Sequence, residues 1–311
     1  MATLPGARVI SVASWRADED NPVFPLGSQP KTLLLCPEEG IDQGLIPGHR
    51  YLFKNPSNWQ RMQIWSEIIA YEVGCLCGIE VPRAFPAVDA NGNFGVLVEF
   101  FYGVKLRSGE ERFVHGSDLL DRLIKDRKRG RPHGIQTNIR LTQAYGVSDA
   151  PQRWAAMIAF DALIGNTDRH PDNWGILHNF VKPASAGVRL APAFDNGTSF
   201  GHEIPDSKIS DRMVPRRLAD YLDQGKHHCG WSPREDGRVQ HSVMCARLAS
   251  HDDDAGETIN NVVRFDPAPL AGVLAAYSDL DVPIRLSRAR ADFMMEQLIR
   301  RRRSVLDRLG G

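Results

Sequence analysis

The sequence has no long uncharged apolar run, no excess charge of either sign and few cysteines. No run of about 18 uncharged apolar residues occurs, so a membrane-spanning helix is not expected. The 38 basic and 38 acidic side chains cancel, so no overall field favours nucleic acid or a membrane, and direct nucleic-acid binding is not expected. Five cysteines, an odd number in 311 residues, are typical of a reducing compartment. Because residues 1–20 also lack a signal-peptide pattern, we predict a cytoplasmic location.

The spacing of apolar residues changes along the chain. Short apolar runs bounded by turn residues predict strands at 8–15, 32–36, 51–54, 81–88 and 94–101. Apolar residues at helical spacing predict a helix from Asn58 to Cys77, which Gly78 would end. From about Gly103 onward the pattern is mainly helical, with helices predicted at 117–126, 154–164, within 206–222 and 262–276, and at 285–309. The exception is a hairpin predicted from strands at 174–177 and 188–191.

Two polar segments carry the residues that suggest a chemistry. Asp168 and Asn173 lie five residues apart on a loop after the apolar helix 154–164, and Asp195 ends a short apolar run. A kinase needs one carboxylate near the acceptor hydroxyl, and an Asn with a second carboxylate to hold Mg²⁺ on the phosphates of ATP. The same Asp-to-Asn interval occurs in the protein-kinase catalytic loop. Each residue alone could serve a turn or a helix cap, but the set predicts an ATP- and Mg²⁺-dependent kinase.

A lysine and a glutamate nearer the N-terminus fit the same chemistry. Lys54 ends a predicted strand, and Glu67 lies within the predicted helix that follows. In kinases, a strand lysine held by a helix glutamate presents its ammonium to the α- and β-phosphates. For Lys54 taken alone, ordinary surface charge is the alternative.

Two other segments are candidates for nucleotide contacts. A loop with Gly, Ser and Gln before a strand could fold its N–H groups over phosphates, although a plain turn has the same composition. The residues of this loop are Gly27, Ser28 and Gln29. The apolar strand 94–101 could be a hinge that bonds adenine through its backbone, although a buried strand has the same pattern. The hinge residues would be Val98, Glu99 and Phe100.

These motifs resemble the HipA-like kinases, which are bacterial serine/threonine kinases known as toxins of toxin–antitoxin pairs. The resemblance covers about residues 24 to 201. It rests on Gly27-Ser28-Gln29-Pro30-Lys31-Thr32, the Lys54 strand, the Glu67 helix ending in Gly78-Ile79-Glu80-Val81-Pro82, Asn166-Thr167-Asp168-Arg169-His170, and Pro192-Ala193-Phe194-Asp195. The loop pair Asn-Thr-Asp-Arg-x-x-Asp-Asn-Trp, at 166–174, and Asp-Asn-Gly, at 195–197, is also similar to type II phosphatidylinositol 4-kinases, distant relatives that share the kinase fold.

The resemblance implies an α+β, two-lobed protein-kinase-like fold. Residues 1–103 would form an N-lobe of antiparallel strands and one helix, and residues 104–311 a mainly helical C-lobe. ATP and Mg²⁺ would lie between the lobes, and the γ-phosphate would pass to a serine or threonine hydroxyl of a protein. A helix-turn-helix antitoxin is a candidate partner.

Residue roles follow from the same resemblance. Asp168 would be the catalytic base, Asn173 and Asp195 the Mg²⁺ ligands, Lys54 the phosphate contact and Glu67 the residue that orients it. The sequence departs from the family at one regulatory position: the inhibitory, autophosphorylated serine would lie three residues before Gly27, where this chain has Phe24.

Several alternatives remain open at this point. His170 could assist the nucleotide site or bond Asp195, although such a histidine is more often structural. The acceptor could be a lipid or small molecule, the chain could be a nucleotide-binding pseudokinase, or the same residues could support nucleotidyl transfer. A zinc site is a weaker alternative because the spacing of its candidate ligands is irregular. Those ligands would be His227, His228, Cys229, His241 and Cys245.

Overall fold

The computed structural model describes residues 7–18, 31–39, 44–56, 60–102, 111–124, 133–179, 187–232, 235 and 237–310. Within those ranges the N-terminal part contains a six-stranded sheet in the order β1-β5-β6-β4-β3-β2. Its strands are β1 (Ile10–Ser11), β2 (Arg16–Ala17), β3 (Lys31–Leu35), β4 (Arg50–Lys54), β5 (Ala84–Val88) and β6 (Phe94–Glu99). All neighbouring pairs are antiparallel except β1 with β5. The α+β prediction is therefore confirmed, although the strand expected at 8–15 is only the two residues of β1, and β2 lies just after that range.

One helix, α1 (Gln63–Cys77), packs against this sheet. Most of its side chains are buried because it lies between the sheet and the helices that follow, and Ile64, Trp65 and Ile68 belong to the main apolar core. The helix ends as predicted at Gly78, whose φ of 73° is a left-handed conformation that favours glycine. Cys75, on the same helix, is exposed.

A second, three-stranded sheet lies among the helices of the C-terminal part. It has the order β7-β8-β9, with β7 (Glu111–His115), β8 (Gly175–Asn179) and β9 (Val188–Leu190). The β8–β9 hairpin matches the sequence prediction. β7 lies in a region predicted to be helical, because its partly exposed residues give no clear alternation and its pairing partner, β8, is some 60 residues away.

The remaining described elements are mostly helices. They are α2 (Gly116–Ile124), α3 (Ile135–Ala144), α4 (Ala150–Ile164), α5 (Ile209–Arg212), α6 (Pro215–Asp223), α7 (His241–His251), α8 (Asp253–Val263), α9 (Ala268–Ser278) and α10 (Arg288–Leu309). α4 is buried on nearly all sides, as expected for a helix that is apolar all round. Across the described residues, every helix is too short or too polar to cross a bilayer.

A single apolar core joins the N-terminal sheet and helix to the helices of the C-terminal part. The largest cluster contains residues of α1, β6, α4, α7, α8 and α10. The indole of Trp65 also donates a hydrogen bond to the carbonyl of Ile284, 2.9 Å away. The predicted lobe boundary at 103/104 falls outside the described residues.

Candidate active site

Three segments that are distant in sequence meet where β4 ends. Lys54 is the last residue of β4, Glu67 lies on α1, and Asp195 lies in the loop after β9. The ammonium Nζ of Lys54 is 2.9 Å from Oδ1 of Asp195 and 3.7 Å from Oε1 of Glu67. The structure therefore brings together three of the residues that the sequence singled out.

The charges of this triad depend on one another. Burial disfavours the ammonium of Lys54, but the carboxylates of Asp195 and Glu67 outweigh it and raise the pKa of Lys54. The Lys54 ammonium lowers the pKa of Asp195, whose side chain remains 49 % exposed. Burial raises the pKa of Glu67 despite the nearby ammonium. Lys54 is therefore charged, and Asp195 is an ionised carboxylate with a solvent-facing side.

The Asp195 loop is held in an uncommon conformation. Asp195 has φ of 56°, a left-handed backbone that only Asn and Asp among non-glycine residues adopt with some frequency. The side-chain amide of Asn196 donates to the carbonyl of Ala193 at 2.8 Å, and Ser66 of α1 donates to the carbonyl of Ser199 at 2.8 Å. At Gly197, a Cβ atom would lie 3.4 Å from Oε2 of Glu67, so glycine lets the loop approach the glutamate. The strain is thus maintained by fixed contacts with α1.

The segment 166–173 forms the loop that follows α4. Gly165 ends α4 with φ of 69°, and the next residue, Asn166, accepts a hydrogen bond from the backbone N–H of Asp168 at 2.9 Å. The side-chain amide of Asn173 donates to the carbonyl of Asp168 at 2.9 Å. The two residues predicted to share a catalytic loop are therefore fixed to one another.

The carboxyl group of Asp168 lies in a half-buried position. Burial raises its pKa, the Asp195 carboxylate adds to the rise, and His170 and Arg238 oppose it. The Asp195 carboxylate is therefore close enough to act electrostatically on this carboxyl group. A carboxylate with a raised pKa is a better proton acceptor, which suits a general base.

Arg169 joins the two loops to α4, a role that the sequence analysis missed. Its guanidinium binds the fully buried carboxylate of Asp161 through two bonds of 2.7 and 3.1 Å. It also donates to the carbonyls of Asn173 and Phe194 and to the side-chain oxygen of Asn196. One buried cation thus fixes the residues that precede and follow Asp195 relative to Asn173.

The family model that matches this chain is the HipA-like C-terminal domain, over residues 25–263. The chain belongs to the HipA-like family. Among curated proteins, none matches the sequence.

Two solved structures resemble the whole fold. The crystal structure of the Helicobacter pylori proinflammatory kinase CtkA superposes with a TM-score of 0.77 at 16 % identity, covering 97 % of this chain and 96 % of that one. HipA of Shewanella oneidensis MR-1, in a toxin–antitoxin complex with HipB and operator DNA, gives 0.55 at 14 % identity and covers 93 % of this chain. This chain spans 65 % of that HipA chain. The two-lobed kinase-like fold is therefore confirmed, and family and fold support a kinase-like function.

Within this HipA-like fold, the residue types at Asn173 and Asp195 suit Mg²⁺, and their binding of one shared ion stays a prediction. Both offer hard oxygen atoms: the amide oxygen of Asn173, whose amide nitrogen is already bonded, and the half-exposed carboxylate of Asp195. Among the described residues, no group of three or more His, Cys, Asp or Glu side chains could hold a metal ion. A site made of one amide and one carboxylate leaves the remaining positions to phosphate oxygens and water, as Mg²⁺ prefers.

The structure does not test the predicted phosphate loop, but it describes the predicted hinge. Gly27, Ser28 and Gln29, and Phe24 before them, lie outside the described residues. The N–H groups of Glu99 and Phe100 donate to the carbonyls of Arg83 and Arg50 at 2.8 and 3.0 Å, and Val98 is paired inside the sheet. These N–H groups are engaged within the sheet, so a backbone contact to adenine from this segment stays a prediction.

His170 has a structural contact in the loop. Its Nδ1 accepts a hydrogen bond from the backbone N–H of Asp172 at 3.2 Å and so caps the short 3-10 turn Pro171–Asn173. Its ring also lies 5.8 Å from that of His228. Among the hydrogen bonds of the described residues, His170 has none to Asp195, so the expected bond between them is not observed.

Lys31 is a second cation beside the site that the sequence analysis quoted but gave no role. It is the cross-strand partner of Lys54 in the β3–β4 register. Burial and the Lys54 ammonium lower the pKa of Lys31, while Asp195 raises it. Like charges directly opposite one another destabilise a sheet, so this pair suggests a shared anionic ligand. The like-charge pairing could not be seen before the strand register was known.

A partly exposed aromatic cluster lies next to Asp195 and was also missed. The ring of Phe194 is 5.0 Å from that of Phe101 and 5.5 Å from that of Phe113, and Tyr102 stacks on Phe113 at 5.3 Å. Such rings can stack on a purine base. The run Phe100-Phe101-Tyr102 was the sequence signal, but only the fold brings Phe113 and Phe194 to it.

Proposed function

We propose that this chain is an ATP- and Mg²⁺-dependent kinase that transfers the γ-phosphate to a serine or threonine hydroxyl of a protein. The observation that supports the proposal is the Lys54 cleft, in which Nζ of Lys54 lies 2.9 Å from Asp195 and 3.7 Å from Glu67. Arg169 ties the segment before Asp195 to Asn173 of the loop that also carries Asp168. Membership of the HipA-like family supports a protein acceptor.

Each side chain of the cleft has a role in phosphoryl transfer. Lys54 would bind the α- and β-phosphates, Glu67 would orient its ammonium, and Lys31 would add a second positive charge. Asp168 would accept the proton of the acceptor hydroxyl. Asn173 and Asp195 would hold Mg²⁺, which when bound would neutralise phosphate charge. The aromatic rings of Phe101 and Phe194 would contact the adenine.

This assignment supports catalysis over nucleotide binding alone. A pseudokinase-like module needs the lysine and the metal ligands but has no use for a nearby carboxyl group with a raised pKa. Asp168 has such a pKa, raised first by burial, and its backbone is fixed by Asn166 and Asn173.

The test compares the transfer of label to protein from γ-labelled and from α-labelled ATP by the purified chain. With γ-labelled ATP, Mg²⁺ and a protein extract, we expect label on protein, and a loss of roughly 10²-fold or more in both Asp168→Ala and Asp195→Ala. Asp149→Ala is the matched control, because Asp149 lies at the opposite end of α4 and pairs with Arg153 on the surface. It should retain wild-type transfer.

The other outcomes identify the alternatives. Label from the α-position on protein would show nucleotidyl transfer, and ATP consumption without labelled protein would show a lipid or small-molecule acceptor. Binding of ATP without turnover would show a pseudokinase. Each of these results would contradict the proposed protein kinase.

An antitoxin partner is a further part of the proposal. HipA of Shewanella oneidensis was solved with HipB, and this chain covers only part of that protein. Co-purification of this chain with the product of a neighbouring helix-turn-helix gene, and loss of transfer in that complex, would support the assignment.

A further inference from the structure

Arg301 is a buried cation on the side of α10 that faces α4 and α7. Its side chain is 6 % exposed. The guanidinium fits between two glycines: a Cβ atom would lie 2.7 Å from it at Gly165 and 2.9 Å from it at Gly225. Any side chain at either position would displace it, so both backbone segments are shaped around this group.

The guanidinium has fewer partners than its five donors require. Its Nη1 lies 3.2 Å from Nδ1 of His241, and among the described residues Nε is buried without a hydrogen-bond partner. Within the same part of the chain, no carboxylate lies within ion-pair distance, although Tyr221 and Glu203 act on it from further away. Burial lowers the pKa of Arg301. A buried guanidinium is costly unless it is paired, so binding of an anion at this position would be favourable.

A cavity of about 160 Å³ opens beside this guanidinium, between α6, α7 and α10. Two hydroxyl side chains line it with Arg301, namely Ser242 and Ser304. Ser242 accepts a hydrogen bond from Nε of Arg308 at 2.8 Å, which leaves its hydroxyl proton free to donate. Arg300 also lines the cavity and pairs with Glu296 at 2.6 Å, and the carboxylate of Asp223, another lining residue, is 3.4 Å from the amide of Gln240. The cavity therefore combines cations and hydroxyl donors.

We propose that this cavity is an anion site, in which Arg301 with Ser242 and Ser304 binds inorganic phosphate or a phosphate monoester. Hydroxyl and guanidinium donors around a small volume suit a tetrahedral oxyanion with several acceptor oxygens. The residues that line the site include none of those in the Lys54 cleft.

The bound anion would also act on the catalytic loop. Nε2 of His241 is 2.9 Å from the carbonyl of Asn166, and Asn166 in turn accepts the N–H of Asp168. Burial keeps the pKa of His241 well below its ordinary value, so the ring is neutral. Its Nε2–H then donates to Asn166 and its Nδ1 accepts from Arg301. An anion that fixes Arg301 therefore fixes the loop that holds Asp168, and this consequence rests on the proposed function.

The test is titration of the purified chain with sodium phosphate at constant ionic strength, followed by thermal unfolding and calorimetry. We expect saturable binding and a rise in Tm that equal ionic strength of sodium chloride does not produce. Arg301→Met should weaken binding by roughly tenfold or more. Arg288→Met, which removes an exposed arginine from the start of the same helix, should bind as the wild type.

Two further variants distinguish loss of the anion site from misfolding and from phosphate binding at the Lys54 cleft. Ser304→Glu places a carboxylate in the cavity and should abolish the phosphate response even if Arg301→Met fails to fold. Lys54→Met removes the cation of the nucleotide cleft and should leave phosphate binding intact. An unchanged phosphate response in Ser304→Glu, or loss of the response in Lys54→Met, would overturn the proposal. Equal binding of acetate would overturn the assignment to phosphate.

Hydrogen exchange separates this inference from the proposed activity. In the wild type, phosphate should slow amide exchange in residues 166–173, and in Ser304→Glu it should not. Unchanged exchange would overturn the coupling while leaving the binding site. If phosphate binds and slows exchange but the chain transfers no phosphoryl group, the proposed function fails and the anion site stands.

Discussion

At Lys54 two carboxylates share one ammonium. Asp195 forms the shorter contact and is half exposed, whereas Glu67 is buried and more distant. This difference in distance and burial suggests that the two carboxylates have separate roles. In the proposed kinase, Asp195 would leave the lysine for a metal ion, and Glu67 would hold the ammonium in place while the phosphates bind.

The first residue-scale prediction concerns these charges. Lys54→Met should lower kcat/KM for ATP by roughly 10²-fold or more, because a charge aimed at the phosphates is lost from a buried site. Glu67→Gln should have a smaller effect, since it acts through Lys54. Lys31→Met should mainly raise KM. Steady-state kinetics with ATP as the varied substrate measures all three, and a Lys31 effect as large as that of Lys54 would refute this division.

The second residue-scale prediction concerns Asp168 and pH. Burial and the Asp195 carboxylate raise the pKa of Asp168 above that of an ordinary aspartate. A general base must be deprotonated, so activity should fall as pH decreases through this raised pKa. The acid limb of kcat/KM should therefore lie at higher pH than the pKa of a free aspartate. Asp168→Asn should have low activity without that limb, and a limb at or below the ordinary value would contradict the assignment.

At the scale of elements, the Arg169–Asp161 pair connects α4 with both loops of the site. Arg169→Met should destabilise the chain by about 3–5 kcal/mol, because it leaves the carboxylate of Asp161 buried without its cation. Arg153→Met, on the surface of the same helix, removes an exposed pair and should cost about 0–1 kcal/mol. Urea unfolding gives both values.

A double variant distinguishes the two roles of Arg169. Adding Asp161→Asn to Arg169→Met removes the buried charge and should recover part of the stability. It should not recover activity, since Asn173 and Phe194 still lack the donor that aligns the loops. Recovery of both together would show that Arg169 is only a structural counter-ion.

At the scale of the whole molecule, Glu72 joins α1 to α9. Its carboxyl group is fully buried and accepts a hydrogen bond of 2.7 Å from the hydroxyl of Tyr277. Burial raises the pKa of Glu72 to about 7, against the effect of that hydrogen bond. The folded protein therefore favours the protonated form at this junction between the N-terminal helix and the C-terminal helices.

This shift predicts the sign of a pH effect on stability. Since the folded state holds the proton more tightly than the unfolded state, the contribution of Glu72 is complete below its ordinary pKa and is lost as pH rises towards 7. Glu72→Gln should therefore become more stable relative to the wild type with rising pH, by up to about 3 kcal/mol between pH 4.5 and pH 8. Urea unfolding at several pH values checks this. Glu257→Gln, an exposed change on α8, should show no such trend.

Part of the order of strands and helices, and the residue types of the site, could be predicted from the sequence alone. The strand β7 and the helices α3 and α7 were not predicted. Apolar periodicity reports which face of a segment is buried, so α1, its end at Gly78 and the β8–β9 hairpin were predictable. The spacing of Asp168 and Asn173 could be recognised in the sequence because both residues lie on one loop. The resemblance of these motifs to the HipA-like family also predicted the α+β kinase-like fold.

Contacts between distant segments were decided only by the tertiary structure. Lys54 and Asp195 are 141 residues apart, and no local pattern records their 2.9 Å contact. The same holds for the pairing of β7 with β8, the alignment of Lys31 with Lys54, the Arg169 network and the cavity at Arg301. Local spacing encodes burial and near neighbours. Which charges meet, and which buried charge is left without a partner, depends on how the separate elements pack.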